Sequence, residues 1–143
     1  MNFVGLDWCS RDDHRLQGER GELNDLPGGT LPFFDAALDE LPDGVDGDVM
    51  LFSHHPMHVP SFNLDQIDRI AQTTSPVSSR ISGAWAGHYH VDYEETVWTG
   101  GYDVFVTDAT WDDANTLRVV QVFGDGERFE VRQRLITVSP WTE

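Results

Sequence analysis

Val49-Met50-Leu51-Phe52-Ser53-His54-His55-Pro56 is an apolar run that ends abruptly in two histidines and a proline. A second stretch repeats the design: Gly83-Ala84-Trp85-Ala86-Gly87-His88-Tyr89-His90. Each reads as a short buried strand that delivers imidazoles at its end. Strand ends and the loops after them are where α/β folds place ligands and chemistry. Neutral imidazole is the commonest protein ligand for metals. In an extended chain His88 and His90 share one face, because side chains alternate along a strand. Gly87 allows a sharp turn or a close approach to an ion.

Working outward, residues 2–7 read as a short buried strand, and residues 8–29, polar and rich in Gly, Asp and Arg, as a long loop. Thr30 is suited to cap a helix and Pro32 to its first turn. Leu31, Phe34, Leu38 and Leu41 follow at helical spacing, until Pro42-Asp43-Gly44 ends the helix. Asn63 is suited to cap a second helix carrying Leu64, Ile67, Ile70 and Ala71. The remainder reads as β structure: strands over 91–98, 102–107, 116–123 and 128–138, with Gly100-Gly101 as a turn. Gly124-Asp125-Gly126 has the composition of a hairpin turn. The pattern predicts one mixed α/β (α+β) domain over residues 1–143, a length that suits a single domain with a real core.

Hydrophobic residues make up 39% of the chain, with 8 Phe and 5 Trp, which excludes a disordered protein. The 25 acidic residues face 9 basic ones, all arginine, for a net charge of −16. Such a field repels nucleic acid and anionic membranes, so neither is an expected partner. It fits a high-salt source, where carboxylates hold water and salt screens their repulsion; a genome-wide skew that removes lysine fits equally. Cys9 is the only cysteine and forms no internal disulfide. No apolar run reaches the ~18 residues needed to cross a bilayer. With no signal-peptide pattern after Met1, the expected compartment is the cytoplasm.

Strand-His-His-Pro followed by strand-Gly-His-x-His resembles the last two signature motifs of the calcineurin-like metallophosphoesterase superfamily, which includes the purple acid phosphatases. The order matches, and the helix between the motifs and the strands after them are similar to the C-terminal half of that domain. The resemblance implies a two-sheet, four-layer β-sandwich flanked by helices. It implies two divalent ions, Mn, Fe or Zn, that activate a water for attack on a phosphate mono- or diester. His54 and His88 resemble ligands of one ion and His90 a ligand of the other. His55, at a position variable in the family, and His58 are the candidates for proton transfer.

The departures are equally informative. The family's earlier motifs, Asp-x-His, Gly-Asp-x-x-Asp and Gly-Asn-His, supply a bridging aspartate and an asparagine ligand. Asp12-Asp13-His14 spells the first, but inside a polar loop; Gly47-Asp48 has no acid three residues on; Gly-Asn does not occur. The resemblance therefore implies a C-terminal half that completes itself with a missing N-terminal half or by self-association. Three neutral imidazoles cannot offset the repulsion between two close cations, so weak metal binding and little activity are expected of the chain alone. Two other readings stay open: a degenerate, non-catalytic module that binds an ion or a partner, and an unrelated metal-binding β protein. No Gly-x-Ser-x-Gly elbow, Walker loop, dinucleotide-binding glycine pattern or His-Glu-x-x-His is present. The ordinary readings of the neighbours are core packing for Trp85 and Trp98, packing for Tyr89, and solvated side chains for His14, His58 and Asp92. A hydrogen bond from Asp92 to a ligand histidine is the sharper alternative.

Overall fold

The computed structural model describes residues 1–8, 21, 23–58, 61–95, 100–109 and 116–137. Five strands form one sheet in the order β1-β2-β3-β5-β4: β1 (Asn2–Leu6), β2 (Val49–Ser53), β3 (Ile81–Ala86), β4 (Tyr93–Glu95) and β5 (Val104–Val106). The pairs β1–β2, β2–β3 and β3–β5 are parallel, and β4 lies antiparallel on β5. Helix α1 (Thr30–Asp39) joins β1 to β2; helix α2 (Leu64–Thr74) and a 3-10 segment (Ser75–Arg80) join β2 to β3. Crossovers between parallel strands share one hand, so two steps in the same direction put both helices on the same face.

That face holds the main core. Val4, Leu6, Val49, Leu51, Ala84 and Val104 point toward Leu31, Phe34 and Leu38 of α1 and Ile67 and Ile70 of α2. Trp8 is fully buried between Phe34 and Phe62, with ring centroids 6.0 and 5.5 Å away and both contacts edge-on. Residues 8 and 23 therefore belong to the core, although the 8–29 segment reads as polar. Asn63 caps α2 as its composition predicts, with a full capping box to Gln66. Thr30 does not cap α1. Gly29 occupies the cap position, and the Thr30 hydroxyl donates to the Asp7 carbonyl at 2.6 Å. Leu64, the first residue of α2, is exposed, and the buried stripe begins at Ile67.

The second face carries Met50, Trp85 and Phe105, which pack against Val120 and Val131 of a separate hairpin. Strands β6 (Thr116–Gly124) and β7 (Phe129–Thr137) pair antiparallel along their whole length. Their turn is closed by Asp125, whose Oδ1 accepts from the amides of Glu127 and Arg128 at 2.9 Å each. Arg118 fastens the hairpin to the sheet, donating to the Val106 carbonyl at 2.8 Å and the Thr107 hydroxyl at 2.9 Å. Gly83 makes the layer possible: a Cβ there would stand 2.8 Å from the Phe105 ring and 2.9 Å from the Trp85 ring. The architecture is thus mixed α/β, in layers of helices, mixed sheet and hairpin.

At the N-terminal rim of the parallel strands, Asp48 is buried and accepts from Arg80 Nε and Nη2 at 2.8 Å each. Asn2 donates to it as well, through its backbone amide to the Asp48 carbonyl at 2.6 Å and its side chain to Oδ2 at 3.2 Å. One carboxylate therefore ties together the starts of β1, β2 and β3. The Arg80 guanidinium holds the Asp48 carboxyl below the usual carboxylate range, against the opposing effect of burial. Asp12, Asp13, His14 and Trp98 lie outside the described residues.

Candidate metal centre

The opposite, C-terminal rim collects the histidines. Parallel pairing sets Leu6 beside Ser53 and Phe52 beside Trp85, so the chain leaves β1, β2 and β3 at one edge of the sheet. His54 and His55 follow β2 directly, and Gly87 and His88 follow β3. The Gly87 amide donates to the His54 carbonyl at 3.1 Å, continuing the ladder one step past the strands. His88 Nδ1 then stands 3.3 Å from His54 Nε2. His55 stacks obliquely on His88 with centroids 4.1 Å apart, and its ring is 5.0 Å from that of His54. One nitrogen from each of His54, His55 and His88 lies within 4.8 Å of the others.

Two of the three, His54 and His88, are the pair that sequence reasoning assigns to one ion. The third, His55, is brought in by the fold. His90 is exposed and outside this group, though close enough for its charge to oppose protonation of His54. The Gly-His-x-His segment is not extended: His88 and His90 have φ of 77° and 53°, and no strand runs through it. The expectation that both imidazoles share a strand face is corrected accordingly. Left-handed backbone at two non-glycine residues costs of order 1 kcal/mol each and must be held by its surroundings.

Those surroundings are a pair of tyrosines and a buried histidine. Tyr89 meets the Ser61 hydroxyl at 2.8 Å and packs edge-on against His88, 4.8 Å between centroids. His58 is 8% exposed rather than solvated, and its Nε2 meets the Tyr93 hydroxyl. Asp92 is not a solvated carboxylate either. It accepts from the Asp108 amide at 3.1 Å and the Thr116 hydroxyl at 2.7 Å, and Arg118 lies 3.9 Å away. It therefore anchors the loop to β6. These contacts join segments 16–35 residues apart, so no local pattern in the sequence announces them.

Burial, then the neighbouring His88 and His54, depress the His55 pKa to about 4, while Asp7 at the end of β1 opposes the shift. His54 is lowered chiefly by burial, then by His88 and His90. Both imidazoles are thus neutral near pH 7, the form in which nitrogen ligates a metal. Two nitrogens bound tetrahedrally to zinc at about 2.0–2.1 Å stand about 3.3 Å apart, which is the His54–His88 separation. The third nitrogen, from His55, lies within 4.8 Å of both. The donor set fits one divalent ion with a position left for water. No protein-family model matches this chain, and no curated protein matches it. No helix among the described residues is long and apolar enough to cross a membrane.

Proposed function

We propose that this chain carries the imidazole portion of a divalent-metal phosphoesterase centre, acting on phosphate mono- or diesters. The observation that supports it most is the convergence of His54, His55 and His88 at the C-terminal rim of parallel strands. Motif order supports it independently, through the likeness to the calcineurin-like metallophosphoesterases. Three histidines and an open position are also the ligand count of a catalytic rather than a structural zinc site. A bound divalent ion lowers the pKa of coordinated water and polarises a phosphoryl oxygen.

The chain's own residues have distinct parts. His54 and His88 hold the ion from the ends of two strands. His55, buried, completes the donor set and keeps one side of the site dry. His58, through Tyr93, and Tyr89, through Ser61, keep the His88 loop in place. His90 serves a second ion once a bridging carboxylate is provided by a complementary half, in the four-layer sandwich that the resemblance implies. The test is cobalt titration, read by its visible absorption, alongside hydrolysis of 4-nitrophenyl phosphate. One bound ion, lost in His88→Ala, with low turnover by the chain alone, is expected. No uptake would overturn the reading.

A non-catalytic metal-binding module is the second reading, favoured by one observation: the cluster among the described residues contains imidazoles and no carboxylate. Turnover that appears when the complementary half is supplied, and disappears in His88→Ala, separates the first reading from the second.

A further inference from the structure

Beside His54, on the face of the sheet away from the helices, an open groove of about 450 Å³ runs across β1, β2 and β3. Gly5, Phe52 and Trp85 occupy the same register position on the three strands, so they form one transverse row. Phe52 and Trp85 stack, 5.8 Å between centroids and 28° between planes. Trp85 is buried, but Phe52 keeps 36% of its surface exposed. Gly5 ends the row with a gap: a Cβ placed there would meet nothing within 4 Å. Ser53 and His54 line the same groove, and among the described residues no arginine does.

Resting on the metal reading above, we propose that this groove seats a flat, apolar leaving group of the phosphate ester, an aryl or nucleobase-like ring laid against Phe52. Three observations converge. The groove is continuous with the imidazole cluster, because His54 belongs to both. Its floor is an aromatic pair presented at the strand ends, and stacking on such a surface is worth about 0.5–1.5 kcal/mol beyond area burial. The protein's charge of −16 disfavours any anion, so attraction for the ester must come from the metal and from an uncharged part of the ligand. The absent side chain at position 5 sets the width: the ring fits where a larger residue would stand.

The test is calorimetric titration of the cobalt-loaded protein with phenylphosphonate, methylphosphonate and inorganic phosphate at matched ionic strength. Cobalt absorption is recorded first in every variant, as an independent check on the imidazole cluster. Phenylphosphonate is expected to bind about tenfold more tightly than methylphosphonate, equivalent to about 1.4 kcal/mol. Phe52→Ala and Gly5→Leu are each expected to remove that preference and leave methylphosphonate affinity in place. Gly5→Leu puts its bulk into open space, so its fold survives. Cobalt uptake with equal affinities for the two phosphonates overturns the groove proposal alone. Failure of cobalt uptake overturns the metal reading and this inference with it. Sedimentation that shows a dimer disrupted by Gly5→Leu, with no aryl preference, assigns the groove to a second copy and overturns the proposal.

Discussion

Nε2 of His54 and Nδ1 of His88 approach to 3.3 Å although the two residues stand 34 positions apart in the chain. The approach follows from pairing. β2 and β3 run parallel, end together, and are joined past their ends by the Gly87 amide and the His54 carbonyl at 3.1 Å. Backbone hydrogen bonds therefore bring the two chain positions together, and the side-chain torsions of each histidine set the final nitrogen separation.

Metal stoichiometry distinguishes a single-ion cluster from a two-ion centre. The chain alone should bind one ion. His54→Ala, His55→Ala and His88→Ala should each weaken uptake by at least about tenfold, in line with loss of a ligand or its support. His90→Ala should change it by less than about threefold. Two ions per chain, with His90 required for one of them, would show that the isolated protein already assembles a dinuclear centre.

Acid should destabilise the fold through His55. Its folded pKa is about 4, below the ordinary value of 6.5. Between those values the unfolded state binds more protons, so stability rises with pH. The contribution is complete above pH 6.5 and is lost as pH falls toward 4. Urea unfolding should show this slope in the wild type and a flatter one in His55→Phe. Equal slopes would place the destabilising proton elsewhere. Asp48 is also lowered, by its hydrogen bonds with Arg80, and adds a further loss as pH falls through the carboxylate range.

The Asp48–Arg80 pair should matter more than a surface ion pair. Both residues are mostly shielded, the geometry is bidentate at 2.8 Å, and Asn2 fills further acceptor positions. Arg80→Met leaves a buried carboxylate uncompensated and should cost about 3 kcal/mol in urea unfolding. Asp48→Leu combined with Arg80→Met should cost less than Arg80→Met alone, because no orphaned charge remains. A double variant as unstable as the single one would show that the pair is worth more than its desolvation.

Salt should raise stability. With 25 acids against 9 arginines, the folded chain repels itself, and about 1 M salt shortens the screening length to about 3 Å. The thermal midpoint should climb between about 0.1 and 1 M salt. A midpoint unmoved by salt would assign the missing lysines to genome composition rather than to a saline setting.

The sequence made the strands of the sheet and the cap of α2 legible because both rest on local chemistry. Residues 49–53 and 81–86 are apolar runs stopped by histidine and glycine, and Asn63 with Gln66 forms a self-contained box. Three things were hidden. His58 looked solvated, yet Tyr93 lies 35 residues away and covers it. Asp92 looked like an ordinary strand carboxylate, yet its partners lie at 108 and 116. His55 reads from the sequence as a candidate for proton transfer and not as a ligand; just past the strand the chain turns, and His54 and His55 come onto the same site. Polar contacts between distant segments leave no periodicity to read.

The two rims of the parallel sheet divide the labour between them. Asp48, Asn2 and Arg80 lock the strands where they begin, and every candidate ligand sits where they finish. Donor atoms at the working end can therefore be exchanged without loosening the latch that keeps the strands in step, so this scaffold is one on which ion preference could be re-engineered while its mechanical integrity is left alone.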